Sequence, residues 1–217
     1  MVAQMAIYHG AYWADPRLDT QLAEIPTAEA FVHGMARMIN FEKRSLIGLE
    51  RAADIVPAEI VDRRAELWPA FMRSLALHRS RPQTLLHQDT HAGNWFRPAP
   101  GKMALHDWQG LAKGLWAADY AYAITSALRV EDRRALEEDL LRLYLERLAE
   151  TGAPTPQFDD AYLEYRREQL HGLFFWLFPM GAGRLQPDMQ PIEETRTNVE
   201  RAARAVADLG TLDLLAG

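Results

Sequence analysis

The chain has 217 residues, of which 48% are hydrophobic and 25% charged, a composition typical of a folded globular protein. Its net charge of −6 argues against sequence-independent binding of nucleic acid, so we expect no nucleic-acid partner. The absence of cysteine excludes disulfides and thiolate metal sites. No stretch approaches the roughly 18 apolar residues that span a bilayer, and the N-terminus does not resemble a secretory signal. We therefore predict a cytoplasmic protein without a membrane partner.

Apolar residues recur at helical spacing over most of the chain. The pattern predicts helices over residues 2–13, 28–49, 57–78, 116–128, 130–151, 159–178 and 192–209. Between Pro82 and Asp107, short apolar runs alternate with polar residues and a Pro/Gly turn, which favours short strands. The fold class is therefore predicted to be α+β and mainly helical, with residues 1–217 forming a single domain that contains a small β hairpin.

Polar side chains concentrate in residues 85–109, LLHQDTHAGNWFRPAPGKMALHDWQ. In an extended strand, alternate side chains share a face, so His87, Asp89 and His91 are expected to point the same way. Two kinds of site fit such a set. In the first, Asp89 accepts a proton from a substrate hydroxyl, while Asn94 and Asp107 supply oxygen ligands to Mg²⁺ for phosphoryl transfer.

In the second interpretation, His87, Asp89 and His91 bind a transition metal such as Zn²⁺ in a metallohydrolase. A further ligand would come from another histidine, and none of these has a paired spacing: His9, His33, His78, His106 and His171. This alternative also leaves Asn94 and Asp107 without a role. The spacing of Asp89, Asn94 and Asp107 across a Pro/Gly turn therefore favours phosphoryl transfer.

Several separated motifs agree in order and spacing. The segment His87-Gln-Asp-Thr-His-Ala-Gly-Asn94 has the form H-G-D-x-H-x-x-N with Gln in place of Gly. In His106-Asp-Trp-Gln109, the Asp-Trp pair matches the form I-D-[WF], with His106 in place of Ile. They are followed by Trp116-Ala-Ala-Asp-Tyr-Ala-Tyr122 and preceded by a helical segment at residues 3–18. These motifs resemble those of the aminoglycoside phosphotransferase and choline-kinase-like family. The whole chain is similar to the C-terminal lobe of that family.

The resemblance implies a protein-kinase-like C-terminal lobe and transfer of the γ-phosphoryl group of ATP or GTP to a hydroxyl of a small molecule, with Mg²⁺ as cofactor. It implies the following roles: Asp89 as catalytic base, Asn94 and Asp107 as metal ligands, His91 near the nucleotide phosphates or supporting the loop, and His87 and Asp119 as structural supports.

Two departures from the family pattern are visible. Gln88 stands where the family has Gly, and no glycine-rich strand pair with a clamping lysine, the hallmark of a nucleotide-binding N-lobe, precedes the motifs. The first lysine, Lys43, lies in a predicted helix. The chain is thus expected to be the C-terminal part of a longer kinase or a truncated relative. An inactive relative would act as a module that binds a small molecule or a protein.

Loss of the N-lobe would expose apolar surface near Trp95 and Trp108, which predicts a homodimer or a separately encoded N-lobe partner. Four acidic residues of the late helices form a second surface feature: Asp159, Asp160, Glu164 and Glu168. They either bind a cationic acceptor or form a solvated helix face. Because a fold does not fix a substrate, the identity of the acceptor is not predicted.

Overall fold

A computed structural model describes residues 1–183 and 189–217 and shows a mainly helical α+β fold. The helices are α1 (Val2–Ala11), α2 (Ala28–Ile39), α3 (Phe41–Arg51), α4 (Ala58–Asp62), α5 (Arg64–Leu77), α6 (Ala117–Ala127), α7 (Val130–Glu150), α8 (Phe158–Arg167), α9 (Gln169–Met180), α10 (Ile192–Asp208) and α11 (Thr211–Leu214). The strands are β1 (Thr84–Leu86), β2 (Trp95–Ala99), β3 (Lys102–Leu105) and β4 (Ala112–Gly114). None of the helices within the described ranges combines the length and apolarity that crossing a bilayer requires.

Three of the predicted helices are wrong as continuous elements, because each is divided in two. The breaks fall at Asn40 between α2 and α3, at Arg63 between α4 and α5, and at Glu168 between α8 and α9. Asn40 adopts a left-handed backbone with φ of 54°, which Asn tolerates better than most residues. The apolar spacing continues across each break, so periodicity alone does not reveal it.

The strands form two small antiparallel sheets, β1 with β4 and β2 with β3. Residues 87–94 form the loop between β1 and β2 and end in a 3-10 turn at Ala92–Asn94. The expectation that His87, Asp89 and His91 alternate along a strand is therefore wrong. The hairpin of β2 and β3 follows the polar loop and does not carry it.

The core has two parts that meet at α6. Helix α9 is buried over nearly its whole length and packs against α3, α5, α6 and α10. A second cluster joins α1, α6, α7 and α8. Helix α6 contributes Tyr122 to the first cluster and Tyr120 to the second, so it is fixed from both sides.

The expected apolar surface near the hairpin is only partly present. Trp108 is 40% exposed, whereas Trp95 is 9% exposed and its indole N–H donates to the Thr90 carbonyl at 3.0 Å. Trp108 therefore contributes to an exposed surface, whereas the Trp95 indole packs beneath the polar loop.

The close approach of α3 and α9 depends on a glycine. A Cβ atom on Gly48 would lie 2.0 Å from the Leu177 carbonyl oxygen, whereas one on Gly34 in α2 would lie 3.8 Å from its nearest neighbour, in Met38. We predict that Gly48→Ala lowers the free energy of unfolding by about 1–3 kcal/mol through overpacking. The matched variant Gly34→Ala should raise it by about 0.5–1 kcal/mol through helix propensity. Urea denaturation measures both, and equal effects would contradict the tight crossing.

Candidate active site

Pairing of β1 with β4 brings two distant segments together. Thr84 lies opposite Gly114 in this ladder, and the chain between the two strands contains the polar loop, the β2–β3 hairpin and residues 106–111. The His106 backbone N–H donates to the Asn94 carbonyl at 3.1 Å, and His87 Nε2–H donates to the His106 carbonyl at 2.8 Å. The loop that contains Asp89 is thus tied to the residue that precedes Asp107.

A fully buried carboxylate holds the polar loop in place. Asp119 in α6 accepts the backbone N–H groups of His87 at 2.7 Å and Gln88 at 2.8 Å. It also accepts the Tyr8 hydroxyl at 2.7 Å and lies 3.4 Å from His9 Nε2, both on α1. The carboxylate therefore connects the first helix, the loop and α6.

The charge state of this cluster follows from its burial and its donors. Burial lowers the pKa of His9 below its ordinary value, against the opposing effect of Asp119. A neutral His9 can donate Nε2–H to Asp119 while its Nδ1 accepts the Tyr144 hydroxyl at 2.8 Å. Burial alone would raise the pKa of Asp119, but the donors from His9 and His87 outweigh it and hold the pKa below the usual value. Asp119 is therefore an ionised carboxylate that is stabilised by hydrogen bonds.

The two histidines of the loop make hydrogen bonds within the site. His87 is buried, with Nε2–H donating to His106 and Nδ1 accepting the Asp89 backbone N–H at 3.2 Å. His91 Nδ1 accepts the Gly93 N–H at 3.1 Å, and its Nε2 lies 3.7 Å from Asp89 Oδ1. The ring nitrogens of His87 are thus both engaged, and those of His91 face the loop and Asp89.

Asp89 reaches solvent from a position that its neighbours define. Its carboxylate is 27% exposed. Asn94 Nδ2 donates to the Asp89 carbonyl at 2.8 Å and to Oδ2 at 3.0 Å, while the Tyr122 hydroxyl donates to Oδ1 at 3.2 Å. These bonds orient the carboxylate and leave it accessible.

Asp107 lies at the start of the segment that follows β3. It is exposed, adopts a left-handed φ of 63°, and its Oδ2 accepts Gln109 Nε2–H at 3.3 Å. Hydrogen bonds of His106 to both His87 and Asn94 place this carboxylate on the border of the polar loop. The structure therefore brings Asp89, Asn94 and Asp107 into one region.

Gln88 has the backbone conformation for which glycine is favoured, with φ of 66°. The residue is buried, and Gln88 Nε2–H donates to the Gly110 carbonyl at 2.7 Å. His171 Nε2–H in turn donates to the Gln88 carbonyl at 2.7 Å. The side chain thus fits the loop and links it to the segment after Asp107.

A cleft of about 310 Å³ opens beside Asp89, and we call it the aromatic cleft. Its walls come from α2, α3, α6 and α9, and Asp89 and His91 lie at one end. The wall side chains are mainly apolar: Phe31, Met35, Phe41, Tyr122, Phe175 and Phe178. A hydroxyl compound bound in this cleft has access to the Asp89 carboxylate.

Sequence reasoning missed several residues that shape the site. Tyr8 and His9 bind Asp119, Tyr122 binds Asp89, and His171 binds the loop backbone. Tyr122 belongs to a motif that resemblance had already marked, so its position was a usable signal. No sequence pattern links His171 to Gln88, because the contact joins residues 83 positions apart.

The zinc alternative lacks a ligand set. Within residues 1–183 and 189–217, no three or more His, Asp or Glu side chains lie together in a way that could hold a metal ion. His87 uses both ring nitrogens for hydrogen bonds, so it has no lone pair free for a metal. The geometry therefore does not support a histidine-rich metallohydrolase site.

We predict that Asp119→Asn lowers the free energy of unfolding by about 3 kcal/mol, because an amide presents N–H groups to donors that a buried carboxylate now satisfies. Urea denaturation followed by circular dichroism measures the change. The matched variant Asp89→Asn, at a partly exposed carboxylate of the same loop, should lower it by no more than about 1 kcal/mol. Equal stability of wild type and Asp119→Asn would contradict the anchoring role.

Stability should also fall with acidification. Burial lowers the pKa values of His9 and His171, so below pH of about 6.5 the unfolded chain binds protons that the folded chain does not. Each histidine then reduces the free energy of unfolding by up to about 1.4 kcal/mol per pH unit. Urea denaturation midpoints measured between about pH 7.5 and about pH 5 give the slope of stability against pH. His171→Gln should flatten it, and an unchanged slope in that variant would contradict the role of this buried histidine.

The model of the phosphotransferase enzyme family matches residues 17–154, more than half of the chain, including both site segments and Asp119. No curated protein sequence matches the chain. The resemblance noted in the motifs at residues 87–109 is thereby confirmed, although α1 and α8–α11 lie outside the matched residues. The chain belongs to the phosphotransferase enzyme family.

Proposed function

We propose that this chain forms the kinase-like catalytic lobe of a small-molecule phosphotransferase. The reaction is transfer of the γ-phosphoryl group of ATP or GTP to a hydroxyl of a small molecule. One observation carries the proposal: Asp89 is an oriented, accessible carboxylate that lines the aromatic cleft and is bonded to Asn94, while Asp107 follows His106, which is hydrogen-bonded to the same loop.

Asp89 is assigned as the catalytic base. Its carboxylate accepts the proton of the acceptor hydroxyl as the hydroxyl oxygen bonds to the γ-phosphorus. The bond between that phosphorus and the β,γ-bridging oxygen breaks, and the nucleoside diphosphate leaves with the electron pair. Tyr122 and Asn94 hold the carboxylate during this step by donating to its two oxygens. Such general-base assistance typically contributes about 10²–10⁴-fold in rate.

The donor chemistry of the site fits Mg²⁺, which prefers oxygen ligands and keeps several waters. Asp107 offers an exposed carboxylate, and within residues 1–183 and 189–217 the Asn94 side chain makes its hydrogen bonds through Nδ2, so its carbonyl oxygen can face an ion. These two residues are proposed to hold the ion. When bound, Mg²⁺ supplies positive charge that stabilises the transferring phosphoryl group.

A lobe outside these residues is proposed to tighten nucleotide binding, so this chain alone is expected to transfer phosphate only at millimolar Mg·ATP. Two lysines lie in described strands: Lys102 in β3 is exposed, whereas Lys113 in β4 is buried with its ammonium donating to the Leu18 carbonyl at 3.0 Å. Lys113 is thus committed to the fold and is not a phosphate clamp. The exposed Trp108 and the nearby hairpin form the surface on which such a lobe, or a second copy of the chain, would dock.

We predict that the chain at millimolar Mg·ATP transfers phosphate to at least one member of a panel of neutral, cationic and anionic alcohols. Asp89→Asn should lower kcat by at least about 10²-fold, because the proton acceptor is lost, with little change in the KM for ATP. Mass spectrometry of the phosphorylated alcohol measures transfer.

The control for this experiment is Asp132→Asn, at an exposed carboxylate on α7. It should retain wild-type activity. Absence of transfer by the wild type, or full activity of Asp89→Asn, would refute the proposal.

A further inference from the structure

The aromatic cleft has a chemical character that bears on which acceptor it takes. Residues of α2, α3 and α9 give it apolar walls, including Phe31, Phe41 and Phe175. Among the described residues that line it, Asp89 is the one carboxylate, and none is lysine or arginine. Most of the described surface that a bound molecule would touch is therefore apolar, and Asp89 is its one charged group.

A polycationic acceptor does not suit these walls. Burying an ammonium group away from water is costly unless a counter-charge or hydrogen-bond acceptors replace its hydration. The late-helix acids do not supply this charge: Glu164 accepts the Trp116 indole N–H at 2.8 Å, and Glu168 is buried and accepts the Ser74 hydroxyl at 2.9 Å. Neither lines the cleft.

A single quaternary ammonium is the stronger cationic alternative, because aromatic rings attract such groups. In this chain, however, the Arg44 guanidinium already lies over the Phe178 ring, 3.7 Å from its centroid. Arg44 does not line the cleft, and its positive charge, in contact with a ring of the cleft wall, opposes a second cation at that ring.

A second, polar cleft of about 320 Å³ lies on another side of His91 and is lined by Glu193, Glu194 and Arg201, among others. Its charges could attract a cationic compound. Asp89 does not line this cleft, so a hydroxyl bound there has no direct path to the base. The aromatic cleft is the one that joins a binding surface to Asp89.

We infer that the acceptor is an uncharged compound with an apolar, ring-sized body whose hydroxyl is directed at Asp89. This inference rests on the proposed phosphotransferase function and specifies its substrate class. A volume of about 310 Å³ lies at the small end of ligand pockets, which typically measure about 300–1,000 Å³. The acceptor is therefore also a compact molecule.

The test measures binding to the full chain by isothermal titration calorimetry without nucleotide. The probes are 2-(2-naphthyl)ethanol, which is neutral, and benzyl(2-hydroxyethyl)dimethylammonium, which pairs a ring and a hydroxyl with one positive charge. The neutral alcohol is expected to bind at least about tenfold more tightly, because the apolar walls do not replace the hydration of a cation.

A charge placed in the wall should reverse this preference. Met35→Glu on α2 is expected to weaken binding of the neutral alcohol at least about tenfold and to strengthen binding of the cation. Met38→Glu makes the same substitution on the same helix at a side chain that is 78% exposed and does not line the cleft, and it should change neither affinity. If thermal melting shows that Met35→Glu does not fold, Ile39→Glu, at a 40% exposed position of the cleft, replaces it.

Tighter binding of the cation by the wild type would overturn the inference, as would an unchanged neutral affinity in the folded wall variant. Phosphoryl transfer from Mg·ATP, measured on the same two alcohols, separates this failure from that of the proposed function. Preferred transfer to the cationic alcohol contradicts the acceptor class alone. If the neutral alcohol binds but neither alcohol is phosphorylated, the proposed function is contradicted, and so is the acceptor class, because it rests on that function.

Discussion

The site depends on one buried carboxylate, Asp119, because a single ionised side chain on α6 satisfies donors from two other parts of the chain. It accepts hydrogen bonds from the loop backbone at His87 and Gln88 and from the hydroxyl of Tyr8 on α1. Hydrogen bonds to a charged acceptor contribute about 1.5–3 kcal/mol each, roughly twice a neutral bond. Asp119 itself lies on α6, which packs into both core clusters, so the loop is fixed to a helix that is buried from two sides.

The proposed chemistry follows from the position that this anchoring gives to Asp89. The loop must turn sharply after β1, and Gln88 adopts the left-handed conformation that allows it. The carboxylate then lines an apolar cleft and is bonded to Asn94, while Asp107 follows His106, which is hydrogen-bonded to the same loop. Phosphoryl transfer depends on an oriented nucleophile and on stabilised charge more than on covalent participation by the protein. In the proposed site, the cleft and Asp89 orient the nucleophile, and Asn94 and Asp107 hold the ion that stabilises the charge.

The sequence predicted the α+β class, most helices and the family, since helical periodicity and the order of motifs are local properties. It failed where tertiary contacts overrule periodicity. Asn40 and Glu168 divide helices whose apolar spacing runs on without interruption. The polar loop is another such case, because alternating polar residues suggested a strand and the hydrogen bonds to Asp119 instead stabilise a turn.

The sequence by itself determined which residue types the site contains: the carboxylates Asp89, Asp107 and Asp119, and an amide at Asn94. Their spacing was enough to favour phosphoryl transfer over zinc chemistry. Only the tertiary structure decided what surrounds Asp89. Tyr122 on α6 and the aromatic side chains of α2, α3 and α9 are far apart in sequence and meet at the cleft through helix packing. That packing buries apolar area irrespective of sequence distance, so no local pattern could reveal the chemical character of the acceptor pocket.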